Sequence, residues 1–148
     1  MTEENARCPL CKPRLDDSER WVRIGPLSVA TLYLDRNQTY RGHCQLVFDP
    51  RHAEGLERLD PDEYTRLMAD LSVAARAISA ACRPDLMNYA SLGNVVRHVH
   101  WHLVPRYRSD PRWGAPIYTT DLADMPQTRL AEAEYLQIVA DIRSHLDL

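Results

Sequence analysis

His98-Val99-His100-Trp101-His102-Leu103-Val104-Pro105-Arg106 alternates imidazole and apolar side chains through its first half. A β-strand sends successive side chains to opposite faces, so this pattern predicts three histidines on one face and Val99, Trp101 and Leu103 on the other. The first face is free for chemistry and the second joins a core. Same-face neighbours stand about 7 Å apart along a strand, so the outer histidines are separated by roughly 13 Å and do not easily converge on one ion. Two of the three can still ligate a metal with donors from elsewhere, as in zinc sites with an H-x-H element. Two readings remain: histidines scattered on a solvated face, or a histidine nucleophile flanked by imidazoles that orient it and bind oxyanions. Scatter explains one histidine better than three in strict alternation.

The same stretch resembles the H-φ-H-φ-H-φ-φ signature of the histidine triad (HIT) family of nucleotide hydrolases and transferases. The likeness continues into Asn88-Tyr89-Ala90-Ser91-Leu92-Gly93-Asn94-Val95-Val96-Arg97 before the triad and Pro105-Arg106-Tyr107 after it. Gly42-His43, opening an apolar run, and Asp35, seven residues before Gly42, also fit. The similarity covers roughly residues 8–118.

Composition agrees with one catalytic domain. At 148 residues, 45% hydrophobic and 26% charged, the chain is expected to fold as a single domain over 1–148. A net charge of −3 argues against broad nucleic-acid or membrane binding, because such surfaces need clustered excess Lys and Arg. The first residues lack the apolar stretch of a signal peptide, and no run is long enough to span a bilayer, so a cytoplasmic protein is expected.

In a reducing compartment the four cysteines read as thiols or metal ligands rather than disulfides. Cys44 and Cys82 sit in apolar contexts and are expected to be buried. Cys8-Pro9-Leu10-Cys11 is a C-x-x-C pair, which lets two thiolates face one ion but needs two further ligands. The resemblance implies a structural zinc site completed by His52 and His98, with the metal tying the N-terminal segment (1–20) to the catalytic strand. The spacing to His52 is one residue longer than the usual pattern.

The remaining chain reads as α+β: a HIT-like fold with an antiparallel sheet of about five strands, one long helix packed on it and a C-terminal helix. Strands are expected at 21–24 and 29–34 around a Gly25-Pro26 turn, and at 44–48, 86–91 and 95–105. The long helix starts with Asp60 as N-cap, Pro61 in the first position and Glu63 completing a capping box. It runs to about Cys82, with Tyr64, Leu67, Met68, Leu71, Ala75 and Ile78 on its apolar face, and Pro84 follows its end. Residues 109–126, with four Pro or Gly, read as an irregular arm, and 128–146 as a second amphipathic helix. In HIT-like proteins this arm often lies over a partner's active site.

The resemblance also implies a mechanism. A neutral His100 attacks the α-phosphorus of a nucleotide, and water hydrolyses the resulting nucleotidyl-histidine. The other ring N–H of His100 donates to the backbone carbonyl of His98. His102 binds a non-bridging phosphate oxygen, and Asn94 with the amides near Gly93 supports the developing charge. Asp35 matches a position that holds ribose hydroxyls, although its surroundings are also good turn chemistry. Asn88 matches a polar position near the ribose and phosphate, although an Asn can equally satisfy local backbone groups. No metal is required for the chemical step, and a homodimer is implied.

Two positions depart from the family pattern. Asn94 stands where Gln is usual, and Val95 stands where a Ser or Thr assists the leaving group; valine cannot donate a hydrogen bond. The third triad residue, His102, favours the hydrolase branches over nucleotidyltransferases that carry Gln there. The flanking sequence resembles bacterial diadenosine-polyphosphate-hydrolase-like proteins, and dinucleoside polyphosphates or nucleoside phosphoramidates are the expected substrates. A nucleotidyltransferase, a non-catalytic nucleotide-binding protein and a zinc-dependent hydrolase using part of the triad as ligands are the alternatives.

Overall fold

Five antiparallel strands form one sheet in the order β1-β2-β3-β5-β4. The strands are β1 (Trp21–Pro26), β2 (Ala30–Asp35), β3 (Cys44–Phe48), β4 (Leu86–Ala90) and β5 (His100–Arg106). The helices are α1 (Pro61–Cys82) and α2 (Glu132–Arg143). The computed structural model describes residues 8–11, 19–110, 112–118 and 125–146. The parts of the N-terminal segment at 1–7 and 12–18, and of the arm at 111 and 119–124, lie outside the described residues.

The alternation in each strand divides the sheet into two faces. Ile24, Leu32, Leu34, Leu46, Phe48 and Leu103 are essentially inaccessible and meet Leu67 and Ile78 of α1 and Tyr135, Ile138 and Ile142 of α2. Burying side chains of this size contributes roughly 1.5–3 kcal/mol each relative to exposure, which fixes the strand register against the helices. The opposite face carries the intervening residues: Tyr33 and Asp35 on β2, Gln45 on β3, His100 and His102 on β5. Register aligns them across the sheet, with Tyr33 opposite Gln45 and Gln45 opposite His102.

α1 begins as its sequence predicts. Pro61 occupies the first turn after Asp60, and the Asp60 backbone N–H donates to Glu63 Oε2 over 2.9 Å. It ends at Arg83, in the left-handed region with φ 50°, just before Pro84. A buried acid on its core side is not expected from the apolar periodicity. Asp70, 4% exposed, accepts from the backbone N–H groups of Ser28 (3.0 Å) and Val29 (2.7 Å). The helix thereby satisfies the turn between β1 and β2, whose orphan donors otherwise face the core.

Several expectations need correction. Gly25 and Pro26 lie within β1, at a bulge after Arg23, and the turn falls two residues later; an edge strand tolerates proline because no ladder donor is needed there. Tyr64, near the start of α1, is 44% exposed rather than in the core, and the buried face of the helix begins at Leu67. α2 is shorter than 128–146 and starts at Glu132, with the Ala131 N–H donating to the Glu134 carboxylate. β5 starts at His100, not at residue 95. Residues 95–99 approach the sheet irregularly, with the Val99 N–H donating to the Ala53 carbonyl. Cys44 is buried, as expected, while Cys82 is only partly covered.

Candidate active site

The late start of β5 changes what the three histidines do together. His100 and His102 alternate on the strand with ring centroids 5.3 Å apart, and both line a cleft of about 760 Å³. The His98 ring does not line that cleft. It turns toward the N-terminal segment, where its Nδ1 lies 3.3 Å from Cys11 Sγ and 3.6 Å from Cys8 Sγ. Its Nε2 donates to the Phe48 carbonyl over 2.7 Å. One face with three imidazoles is therefore a face with two, and His98 reaches the cleft through its backbone.

That backbone contact is short and specific. His100 Nδ1 lies 2.6 Å from the His98 carbonyl oxygen. A carbonyl only accepts, so the proton resides on Nδ1 and the Nε2 lone pair of a neutral His100 is left available as a nucleophile or metal ligand.

His102 is held by a residue that the sequence reading did not single out as functional. His43 Nε2 lies 3.1 Å from His102 Nδ1, and the rings are tilted with centroids 5.3 Å apart. Burial depresses the His43 pKa to about 4. His102 is lowered to about 3, first by burial and then by the neighbouring His43 and His100 rings. Both are neutral at pH 7, so a single N–H joins them. With His43 as donor, His102 carries its own proton on Nε2 and becomes a neutral hydrogen-bond donor. The clue in the sequence is the spacing of His43 and Gln45, which share the open face at the head of β3.

Gly42 shapes this corner. It adopts φ +88°, and a Cβ there would meet Cys82 Sγ at 2.5 Å. Only glycine lets the chain turn beneath β5 and present His43.

Asp35 also faces the cleft, at the end of β2. One carboxylate oxygen accepts from the Asn37 N–H at 2.8 Å and the other from Gln45 Nε2 at 2.7 Å. Burial raises its pKa, and these hydrogen bonds and the nearby His102 oppose the rise. The carboxylate is both the turn residue and the cleft residue of the two sequence readings, and it keeps acceptor capacity for hydroxyl groups.

Leu92, Gly93, Asn94, Val95 and Val96 form another wall of the cleft. Gly93 has φ +66° and Val95 is 78% exposed. Arg20, Arg129, Trp21, Gln127 and the arm residues Tyr118 and Met125 also line it. The described arm thus borders the cleft of its own chain.

Asn88 is not brought into this cleft. Its Oδ1 accepts from the buried Arg106 guanidinium at 2.7 Å, and it lines the neighbouring groove along β4. The register explains this: Ala90, not Asn88, pairs with His102. Arg106 is also held by Asp110 and the Ala115 and Arg112 carbonyls, so Asn88 belongs to a buried network bracing the arm.

A second constellation lies beside the catalytic strand. Cys8, Cys11, His52 and His98 offer ligand atoms that all lie within 4.8 Å of one another. The His52 Nδ1 to Cys11 Sγ distance is 3.3 Å. Two thiols and two imidazoles are a donor set suited to tetrahedral zinc, and the Phe48 carbonyl that receives His98 Nε2–H is the usual kind of outer partner for a ligating histidine. The longer spacing before His52 does not keep it from the group.

Comparison with known proteins agrees with this geometry. The chain is 26% identical over 118 residues to Adenylylsulfatase HINT3 of Arabidopsis thaliana, covering 76% of this chain and 56% of that protein. It therefore spans little more than half the length of this relative. The fold matches a histidine triad (HIT) protein of Sinorhizobium meliloti 1021 with TM-score 0.79 and 22% identity, over 93% of this chain and 99% of that one. It also matches a Zn-bound histidine triad family protein of Mycobacterium smegmatis, with TM-score 0.56 and 21% identity, over 87% and 85% of the two chains. The HIT domain profile matches residues 23–109, more than half of the sequence and the whole sheet apart from the start of β1. The chain belongs to the HIT domain family, whose members bind nucleotides and generally hydrolyse or transfer them.

Proposed function

We propose that the protein is a nucleotide hydrolase acting at the α-phosphate through a nucleotidyl-His100 intermediate. The observation that carries this reading is the 2.6 Å contact between His100 Nδ1 and the His98 carbonyl, which directs the basic nitrogen to the cleft. His100 Nε2 forms a bond to the α-phosphorus as the bond to the leaving group breaks, and the leaving group departs with the electron pair. Water then attacks phosphorus, the P–N bond breaks, and a nucleoside monophosphate and free His100 result. His102 donates to a phosphate oxygen, and Asn94 with the backbone at Gly93 supports the charge. Asp35 accepts from the ribose hydroxyls. Asn88 acts indirectly, by fixing Arg106 behind the arm.

The substrate class favoured by the sequence is a dinucleoside polyphosphate or nucleoside phosphoramidate, as in diadenosine-polyphosphate-hydrolase-like proteins. The name of the Arabidopsis relative adds adenylyl sulfate to the compounds worth testing. The deciding assay is release of nucleoside monophosphate from diadenosine polyphosphates, adenosine phosphoramidates and adenosine phosphosulfate by wild type and His100→Ala. Turnover by wild type that the substitution abolishes supports the nucleophile and names the leaving group. Turnover that survives it, or that tracks metal content alone, supports a zinc-dependent hydrolase. Binding of AMP without turnover of any compound supports a non-catalytic nucleotide-binding protein.

The Cys8, Cys11, His52 and His98 group is proposed to hold a structural zinc ion. Zinc there would supply a tetrahedral cross-link between the N-terminal segment and the residue whose carbonyl orients His100. It takes no part in the chemical step.

A homodimer is the proposed assembly, with 1–148 as its single-domain subunit. β4 ends the sheet with Leu86 and Tyr89 about half exposed, beside a groove formed by Met68, Leu71 and Ala75 of α1. An unpaired edge flanked by apolar surface fits a second copy of the same surface related by two-fold symmetry. Light scattering at micromolar concentration tests it, with Tyr89→Asp expected to give monomer.

A further inference from the structure

Tyr118 lines both the triad cleft and the groove along β4, standing between them on the arm. Its ring meets His102 edge to face, with centroids 5.3 Å apart and planes at 70°. The phenol oxygen is buried and has no hydrogen-bond partner among the described residues. A buried hydroxyl ordinarily finds a partner in protein or bound water, so an orphan beside a ligand cleft points to the ligand as its acceptor. The other orphan, Trp101 Nε1, lies on the core side of β5 and has no such explanation.

The chemistry around the ring narrows what that acceptor is. Val95, which also lines the cleft, carries no side-chain hydroxyl, so the cleft is short of one neutral donor relative to the resembled family pattern. Burial, then the negative Asp35, raises the Tyr118 pKa and keeps the phenol protonated throughout the neutral range. The ring it packs against in the cleft belongs to His102, the group assigned above to a phosphate oxygen.

We propose that Tyr118 is a further substrate-contacting residue, whose phenol O–H donates a hydrogen bond to an oxygen of the phosphoryl group held at His102. The inference rests on the nucleotide reading of the cleft. Two neutral donors then converge on one phosphoryl group, stabilising charge without adding a titrating group. The arm becomes part of the phosphate site rather than a cover over it.

Calorimetric titration of wild type and Tyr118→Phe with AMP and with adenosine tests the proposal. Phenylalanine keeps the ring against His102 and removes only the hydroxyl. The expected result is a loss of AMP affinity of about five- to ten-fold with adenosine affinity unchanged. Unchanged AMP affinity overturns the proposal, because the phenol then faces no phosphate. Equal losses for AMP and adenosine also overturn it, because the hydroxyl then serves the nucleoside or the arm. If wild type itself does not prefer AMP to adenosine, the nucleotide reading of the cleft fails first and this inference with it. Matching thermal melts of the two proteins confirm that the comparison is between folded states.

Discussion

His43 Nε2 and His102 Nδ1 lie 3.1 Å apart, so one N–H links two neutral imidazoles and decides which nitrogen of His102 is a donor. Both rings border the cleft, His43 at the head of β3 and His102 on the neighbouring β5. It gives a pH dependence of stability as well as an orientation for the third triad residue.

In the unfolded chain both histidines titrate near 6.5, whereas in the fold His43 titrates at about 4 and His102 at about 3. Above about pH 6.5 neither state binds the proton and the stability is fully present. As pH falls toward 4 the unfolded chain takes up protons that the fold refuses, so stability declines, by up to about 1.4 kcal/mol per pH unit for each histidine. Urea unfolding between about pH 7 and pH 4.5 measures this slope, and His43→Phe is expected to reduce it by about one proton. An unchanged slope in the variant means that His43 is not a source of it. The same variant should lower kcat/KM about ten-fold through the lost His102 orientation.

Asp35→Asn is expected to weaken recognition of the ribose. Its carboxylate accepts from Asn37 and Gln45 and retains acceptor sites toward the cleft. An amide offers fewer lone pairs, and its NH2 group can no longer accept from Gln45 or from a hydroxyl. The apparent KM for a ribonucleotide should rise about ten-fold, with little change for the 2′,3′-dideoxy analogue. Equal effects on both would remove the ribose assignment.

Replacing Cys8 and Cys11 together by serine should release the metal. Bound zinc measured by plasma mass spectrometry falls from about one per chain to near zero. The melting temperature falls as the N-terminal cross-link is lost. Turnover falls without vanishing, because His98 still has its Phe48 contact and its carbonyl still orients His100. Complete and metal-restorable loss of chemistry would instead favour zinc in the reaction.

Asp70→Ala separates architecture from chemistry. The aspartate accepts from two backbone N–H groups at the β1–β2 turn, and its removal leaves both donors without an acceptor. A loss of about 2–4 kcal/mol in denaturant-unfolding stability is expected. KM should stay within about two-fold of wild type at a temperature where the variant is folded, because the residue lies on the helix side of the sheet.

The parts that were legible in the sequence are those governed by local rules. The capping residues and apolar period of α1, the apolar run of β3 and the proline after α1 each depend on near neighbours, and they predict those elements to within a residue or two. The Gly25-Pro26 turn failed because the same dipeptide also suits a bulged edge strand, and only pairing with β2 distinguishes the two. The 95–105 strand failed at its start for a related reason. Alternation at His98 is compatible with a strand, but the backbone there bonds to Ala53 instead, and the ring finds the thiols.

The sequence by itself determined that this is an α+β chain that resembles the HIT family, with three alternating histidines expected on one open sheet face, because alternation and spacing are properties of consecutive residues. Tertiary structure decided that His98 leaves that face for Cys8, Cys11 and His52, that Asn88 belongs to Arg106, and that His43 and Tyr118 flank His102. Each of these contacts joins residues on separate elements of the fold. Their geometry follows from strand register and burial, which are fixed only when the sheet packs against its helices.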